Sequence, residues 1–267
     1  MFQGVGAYLK IGIPGAMMLC FEWWCFELLA IFSGLMSVEA LAAEVIVVNI
    51  VTFIFMVPLG CSYAASAFTG FFCASGQIDE AKKYSRLTIL FNSIITLIIL
   101  IVLASCQKRL ASFFTGDPKT VEIVYDVMFV LYVYIFFDTI HGVQSGIIRG
   151  LGRQGVGSIY TLVCYWIIGL PLALTLAFKY RMGVKGLWLG FSIACIILDA
   201  GFAVIIECPT WPDGRKKGGS DGQNIGPPRT PEDANFRRVL TQDKEKKQDN
   251  LPFFGSETAP TQGQVRE

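Results

Sequence analysis

The sequence predicts an all-α integral membrane protein: six transmembrane helices within residues 1–208, then a disordered cytoplasmic tail over 209–267. Three observations carry this. The 267 residues are 53% hydrophobic, above the globular norm of about 45–50%. The surplus is confined to the first 208 residues, in runs of about 20 apolar residues, each long enough to cross a bilayer. From Thr210 onward the chain turns to Gly-Gly-Ser, Pro-Pro, Thr-Pro and alternating charge, a composition that cannot bury a core.

The spans fall at about 13–36, 40–68, 87–105, 121–149, 158–180 and 184–206. The first has Pro14 near its start, where a missing N–H is tolerated. A small-residue link from Ser33-Gly34 to Glu39 leads to the second, which is long enough to tilt or to leave the hydrocarbon at its ends. Pro58 and Gly60 predict a kink there. The polar link from Gly70 to Arg86 breaks at Gly76-Gln77. Asp79-Glu80 before Lys82-Lys83 then reads as a short amphipathic helix, acid first as the helix dipole prefers. The third span is almost purely aliphatic, a lipid-facing scaffold. Gly116-Asp117-Pro118 is a turn before the fourth. Pro171 lies in the middle of the fifth, and Pro209 and Pro212 end the sixth.

Several classes are excluded. A net charge of +1 supplies no basic field for nucleic acid. Eight cysteines without a CxxC pair, and a single histidine, do not make a zinc site. No HExxH, GxSxG or phosphate loop is present, so neither an enzyme nor a nucleotide or cofactor site is expected. The N-terminus has no basic region ahead of a short apolar stretch, so the first span itself is expected to direct insertion rather than a cleaved signal.

The chemistry starts at Cys20-Phe21-Glu22-Trp23-Trp24-Cys25-Phe26-Glu27, in the middle of the first span. A charge at that depth costs ~2.5–3.5 kcal/mol on insertion scales, which marks intramembrane acids as candidate ion or substrate sites. Desolvation disfavours the charged form of an acid, and that lets a buried carboxyl bind and release a proton near neutrality. Glu22 and Glu27 point about 140° apart around the helix, so they do not form one site alone. Either is a proton or cation site, or a neutral acid bonded to a neighbouring helix. Trp23 and Trp24 are too deep for the interfacial aromatic belt. They line a cavity for flat or cationic molecules, or they pack helices. In the fourth span Asp138 and His141 are neighbours at i,i+3, and a carboxylate beside an imidazole can relay protons. The alternative is one buried acid satisfied by Asn49, a tyrosine or backbone. Gly142, Gly146 and Gly150 recur every four residues, a ladder for close helix packing. Pro58 and Pro171 free carbonyls for a hinge, a cavity or a fixed kink. Glu39, Glu44, Asp199 and Glu207 are weaker candidates, the first two lying near the outer surface.

These residues resemble the C-terminal half of a eukaryotic multidrug and toxin extrusion (MATE) transporter. The match runs through Tyr8-Leu9-Lys10-Ile11-Gly12-Ile13-Pro14, the Glu-Trp-Trp block and Met56-Val57-Pro58-Leu59-Gly60. It continues through Gly142 to Gln154, with Arg149-Gly150-Leu151-Gly152-Arg153-Gln154 the strongest part, and then Tyr165, Gly169, Pro171 and Gly186-Leu187-Trp188. It covers about residues 7–206. The resemblance implies one six-helix lobe of a twelve-helix transporter with a V-shaped cavity. It implies antiport: export of organic cations, xenobiotics or metabolites in exchange for protons, or less readily sodium, with Glu22 and Asp138 coupling the ion and Glu27 a further cavity acid. A plasma or vacuolar membrane is expected. Asn49 stands where some members carry a glutamate, and Thr161 where an asparagine is common. Six spans in place of twelve leave a second lobe to come from another part of a longer protein or from a second chain. An orphan lobe that only binds partners is the alternative.

Charge sets the expected orientation. With the N-terminus inside, Lys10, Lys82, Lys83, Arg86, Arg149, Arg153, Arg215, Lys216 and Lys217 are cytoplasmic. Lys108, Arg109, Lys119, Lys179, Arg181 and Lys185 are then outside. The positive-inside rule favours both termini in the cytoplasm. A membrane-impermeant thiol reagent added outside intact cells should therefore label Gly116→Cys and not Gly219→Cys; the opposite pattern reverses the topology.

Overall fold

A computed structural model of the chain describes residues 5–207 and Trp211. Among them are six helices long and apolar enough to cross a membrane. They are α1 (Val5–Met36), α2 (Val38–Ala74), α3 (Ile78–Phe114), α4 (Pro118–Gly150), α5 (Gln154–Lys179) and α6 (Gly183–Glu207). The order and number match the hydropathy reading. The expected tail over 209–267 lies outside the described residues, Trp211 excepted.

The helices are longer than the spans, and two links shrink accordingly. The segment Asp79–Lys83 is not a separate amphipathic helix but the first turns of α3, which runs unbroken to Phe114. Its acids still sit where unpaired N–H groups favour negative charge. Ser37 alone joins α1 to α2; its extended backbone breaks the helix, and its hydroxyl accepts from the Ala40 N–H at 3.0 Å. Asp117 caps α4 in the same way, accepting from the backbone N–H of Thr120 at 2.9 Å and its hydroxyl at 2.6 Å. Those bonds hold the exposed Asp117 carboxyl below its ordinary range.

α5 departs from a regular helix. Val163–Gly169 and Thr175–Lys179 are π-helical, with Leu170–Leu174 between them. Pro171 falls in that middle piece, where its missing N–H and ring crowd the preceding turn. The wider π turns accommodate it without ending the helix. Pro58 is buried within a continuous α2, and a Cβ on Gly142 would lie 3.7 Å from its ring.

Small residues set the packing. A Cβ at Gly146 would come 2.1 Å from the Ser62 carbonyl oxygen, and one at Gly150 2.6 Å from that of Ser66. α2 and α4 thus touch backbone to backbone along the predicted ladder. A second seam joins α5 to α6, where a Cβ on Gly190 would meet the Ala173 backbone at 2.4 Å. α4 is consequently central, with most residues from Thr139 to Ile148 buried. α3 is peripheral: 11% of its most apolar stretch is buried, against 50% for α2, α4 and α6. Asn92 and Thr96 tie α3 to α4, donating to the Thr139 carbonyl and hydroxyl, each at 3.0 Å. At one end of the bundle Arg86 grips Glu207 through two bonds of 2.6 and 3.0 Å. Beside them Lys82 lies 5.8 Å from the Trp211 ring centre, and Trp211 donates to the Ile206 carbonyl at 2.7 Å.

Gly146→Ala must force α2 and α4 apart, an overpacking cost of ~1–3 kcal/mol. Its thermal midpoint in detergent should fall. Gly155→Ala, which meets nothing within 4 Å, should leave the midpoint unchanged or raise it slightly.

Candidate functional site: a buried acid cluster between three helices

Glu22 projects from α1 toward α4 and is 3% exposed. It shares a recess of about 10 Å³, room for about one water, with Trp23, Phe26, Val51, Thr52, Phe55 and Asp138. The carboxyls of Glu22 and Asp138 interact directly there. Asp138 also accepts from the Tyr134 hydroxyl at 3.0 Å, one turn earlier on α4. Tyr134 is itself fixed edge-on against Trp188, at 5.0 Å and 78° between ring planes.

His141 lies behind this pair, 2% exposed. Its Nε2 is 3.8 Å from Glu22 Oε2 and 3.3 Å from the Ser145 hydroxyl. Its Nδ1 is 3.7 Å from Asp199 Oδ1 on α6. The expected pairing of His141 with Asp138 is therefore not the main one: the imidazole lies between Glu22 of α1 and Asp199 of α6 while Asp138 turns to Tyr134. Phe202 lies against the ring at 5.2 Å, and Tyr165, from the first π stretch of α5, meets it edge-on at 6.3 Å. The next residue, Trp166, donates to the Phe21 carbonyl at 2.9 Å and so pins α5 to α1 beside Glu22.

The other predicted site residues are placed apart. Glu27 is exposed on α1. Trp24 is 49% exposed and packs edge-on against Phe21, whereas Trp23 lines the recess while remaining 42% exposed. Asn49 does not reach the acids. It donates to the Val45 carbonyl at 2.7 Å and borders a separate apolar groove of about 1000 Å³ between α2 and α3. Thr52, three residues further along α2, borders both the recess and that groove, whereas Asn49 borders the groove.

Three polar residues exceed their standing in the sequence, Asp199 and Glu44 buried and Arg149 partly so. Asp199 belongs to the cluster. Arg149, assigned to a cytoplasmic turn, reaches back to donate to the Ser62 hydroxyl at 2.7 Å, and that hydroxyl donates to the Gly142 carbonyl. Glu44, expected near the surface, is fully buried and accepts from the Trp188 indole N–H at 2.9 Å. The signal for all three was present: a charged side chain within an apolar run. Trp188→Phe keeps the ring packing but leaves the Glu44 carboxyl without its donor, a loss of ~1–3 kcal/mol. The variant's detergent melting point should drop, and Glu44→Met in the same background, which removes the orphaned polar group, should recover much of the loss.

With this geometry in hand, the relatives are informative. The MatE family matches residues 14–175. Multidrug and toxin extrusion protein 1 from rabbit (Oryctolagus cuniculus) is 30% identical over 209 residues, covering 78% of this chain and 37% of its own length. The human protein of that name is 32% identical over the same shares. The chain thus spans little more than a third of the curated relatives it matches. Among solved structures, the eukaryotic MATE transporter AtDTX14 superposes with a TM-score of 0.76 and 25% identity, over 81% of this chain and 49% of that one. The Vibrio cholerae MATE transporter VcmN, at 16% identity and a TM-score of 0.70, shares the fold. Six helices in one bundle, matching about half of a MATE transporter, place the chain plainly: it belongs to the MatE family of multidrug and toxin extrusion transporters.

Proposed function

We propose that the chain is one lobe of a proton-coupled antiporter that exports organic cations, xenobiotics or metabolites, with both termini cytoplasmic, and that transport requires a second lobe. One observation supports this above the others. Glu22 and Asp138, from two helices, meet in a recess whose mouth carries the half-exposed Trp23. Two carboxyls in contact cannot both ionise readily, so the pair holds a proton. When it gives the proton up, the recess, itself too small for more than a water, becomes a negative spot that draws a flat cation to the exposed face of Trp23 at its mouth. Proton and cationic substrate then compete for one charge, and linkage makes the binding of each oppose the other. Alternating exposure of such a site to the two sides gives exchange. Tyr134, held by Trp188, keeps Asp138 oriented in both protonation states. Glu27 and Trp24, exposed on the same helix, are positioned to meet substrate or the second lobe rather than the proton.

Glu22→Gln keeps size and hydrogen bonding but removes the titration. Reconstituted together with a second lobe, it should lose proton-driven export of a fluorescent organic cation while still reaching the membrane. Asp138→Asn should lose it or shift its pH optimum. An unchanged rate and pH dependence in Glu22→Gln would make Glu22 a structural residue.

A further inference from the structure

Asp199 is the buried acid that the coupling pair leaves unused. It is 6% exposed, and neither of its carboxyl oxygens has a hydrogen-bond partner among the described residues; nor has His141 Nδ1, which faces it. Buried polar atoms are normally paired, and an unpaired carboxyl in a membrane bundle is costlier still. Here three such atoms converge, and the ring between them also faces Glu22. The two gaps are nearly equal, 3.7 Å from Nδ1 to Asp199 and 3.8 Å from Nε2 to Glu22. Each is too long for a hydrogen bond but within about 1 Å of one. The ring can therefore bond fully to only one acid at a time, and a small tilt selects which.

We propose that Asp199 is a second proton-holding carboxyl, and that His141 carries protons between it and Glu22. The inference rests on the proton-coupled reading above and extends it to α6. In the transfer, the Asp199 carboxyl gives its proton to Nδ1 while Nε2–H gives its own to the Glu22 carboxylate. Asp199 ends ionised, Glu22 neutral, and the imidazole changes tautomer; a transfer in the reverse sense restores it. The two ring nitrogens make histidine suited to this, since each can hold or release a proton independently.

The direction of the relay follows from the fold. Asp199 lies eight residues before Glu207, about 12 Å along α6, on the way to the end of the bundle where Arg86, Lys82 and Trp211 gather. On α4 the polar positions His141, Ser145 and Arg149 recur every four residues toward Gly150. The relay thus lies on the side of the recess away from Trp23 and its exposed face, toward the end of the bundle that holds Arg149 and Glu207. Other titratable groups surround it. Asp138, Tyr134 and Arg149 come from α4, and Cys25 from α1. Tyr165 comes from α5 and Cys195 from α6, while Tyr63 of α2 acts on Arg149. Among the described residues, the acids within 4 Å of the ring nitrogens are Glu22 and Asp199, with the Ser145 hydroxyl 3.3 Å from Nε2.

The chain has one histidine, so ¹⁵N-histidine labelling of the full chain in lipid nanodiscs reports on this imidazole alone. With pH, both nitrogen resonances should move. In Asp199→Asn the movement of Nδ1 should be lost or displaced while the response tied to Glu22 persists. In Glu22→Gln the reverse should hold, and Asp199→Glu should restore the wild-type response. Two nitrogen titrations unchanged in Asp199→Asn would overturn the proposal, as would unchanged titrations in Glu22→Gln if Asp199→Asn proves too unstable to study. The readout needs no transport. A failed relay with intact Glu22-dependent export leaves the antiporter reading standing, and a working relay without export removes the antiporter reading alone.

Discussion

The structure depends on the contact between α2 and α4 at Gly146. With no room for a Cβ beside the Ser62 carbonyl, the two helices sit at the closest spacing backbones allow, and α4 is drawn into the centre of the bundle. In a bilayer, packing and interhelical hydrogen bonds replace the hydrophobic effect as the force between helices. A central helix can then carry polar groups that a peripheral one could not. Asp138, His141, Ser145 and Arg149 are all on α4, and each finds a partner on the same or a neighbouring helix. The Ser62 hydroxyl joins both themes: it bonds the Gly142 carbonyl and accepts from Arg149, so the tight seam and the polar column are one construction.

From this centre the site follows. α1 supplies Glu22, α6 supplies Asp199, and α4 holds Asp138 and His141 between them. The π-helical stretch of α5 turns Tyr165 toward the imidazole and Trp166 toward the carbonyl next to Glu22. A regular helix containing Pro171 would have had to bend or break there. The irregularity is thus what lets the fifth helix close the cluster, and π segments are frequent beside functional residues for this kind of reason.

The six helices were legible because hydropathy needs no knowledge of neighbours: a run of 20 apolar residues spans a bilayer whatever surrounds it. Glu22 and Asp138 were legible because charges at that depth are costly, and because their surrounding blocks resemble a known family. What could not be read was rotation. Helices that are apolar all round give no amphipathic stripe to fix which face points inward. Asn49, a candidate for the acids by sequence, bonds back to its own helix and borders the α2–α3 groove, whereas Asp199 and Glu44, weaker candidates by sequence, lie inside. The segment Asp79–Lys83 departs from expectation for a different reason: charge ends a hydropathy window without ending a helix, and α3 simply continues out of the apolar layer.

The central claim is that Glu22 carries an exchangeable proton inside the folded lobe. Infrared difference spectroscopy of the protein in lipid, between acidic and alkaline pH, tests this most directly. The account predicts a protonated-carboxyl C=O band that vanishes at alkaline pH and is absent or shifted in Glu22→Gln. A carboxyl difference spectrum identical in wild type and Glu22→Gln would contradict it.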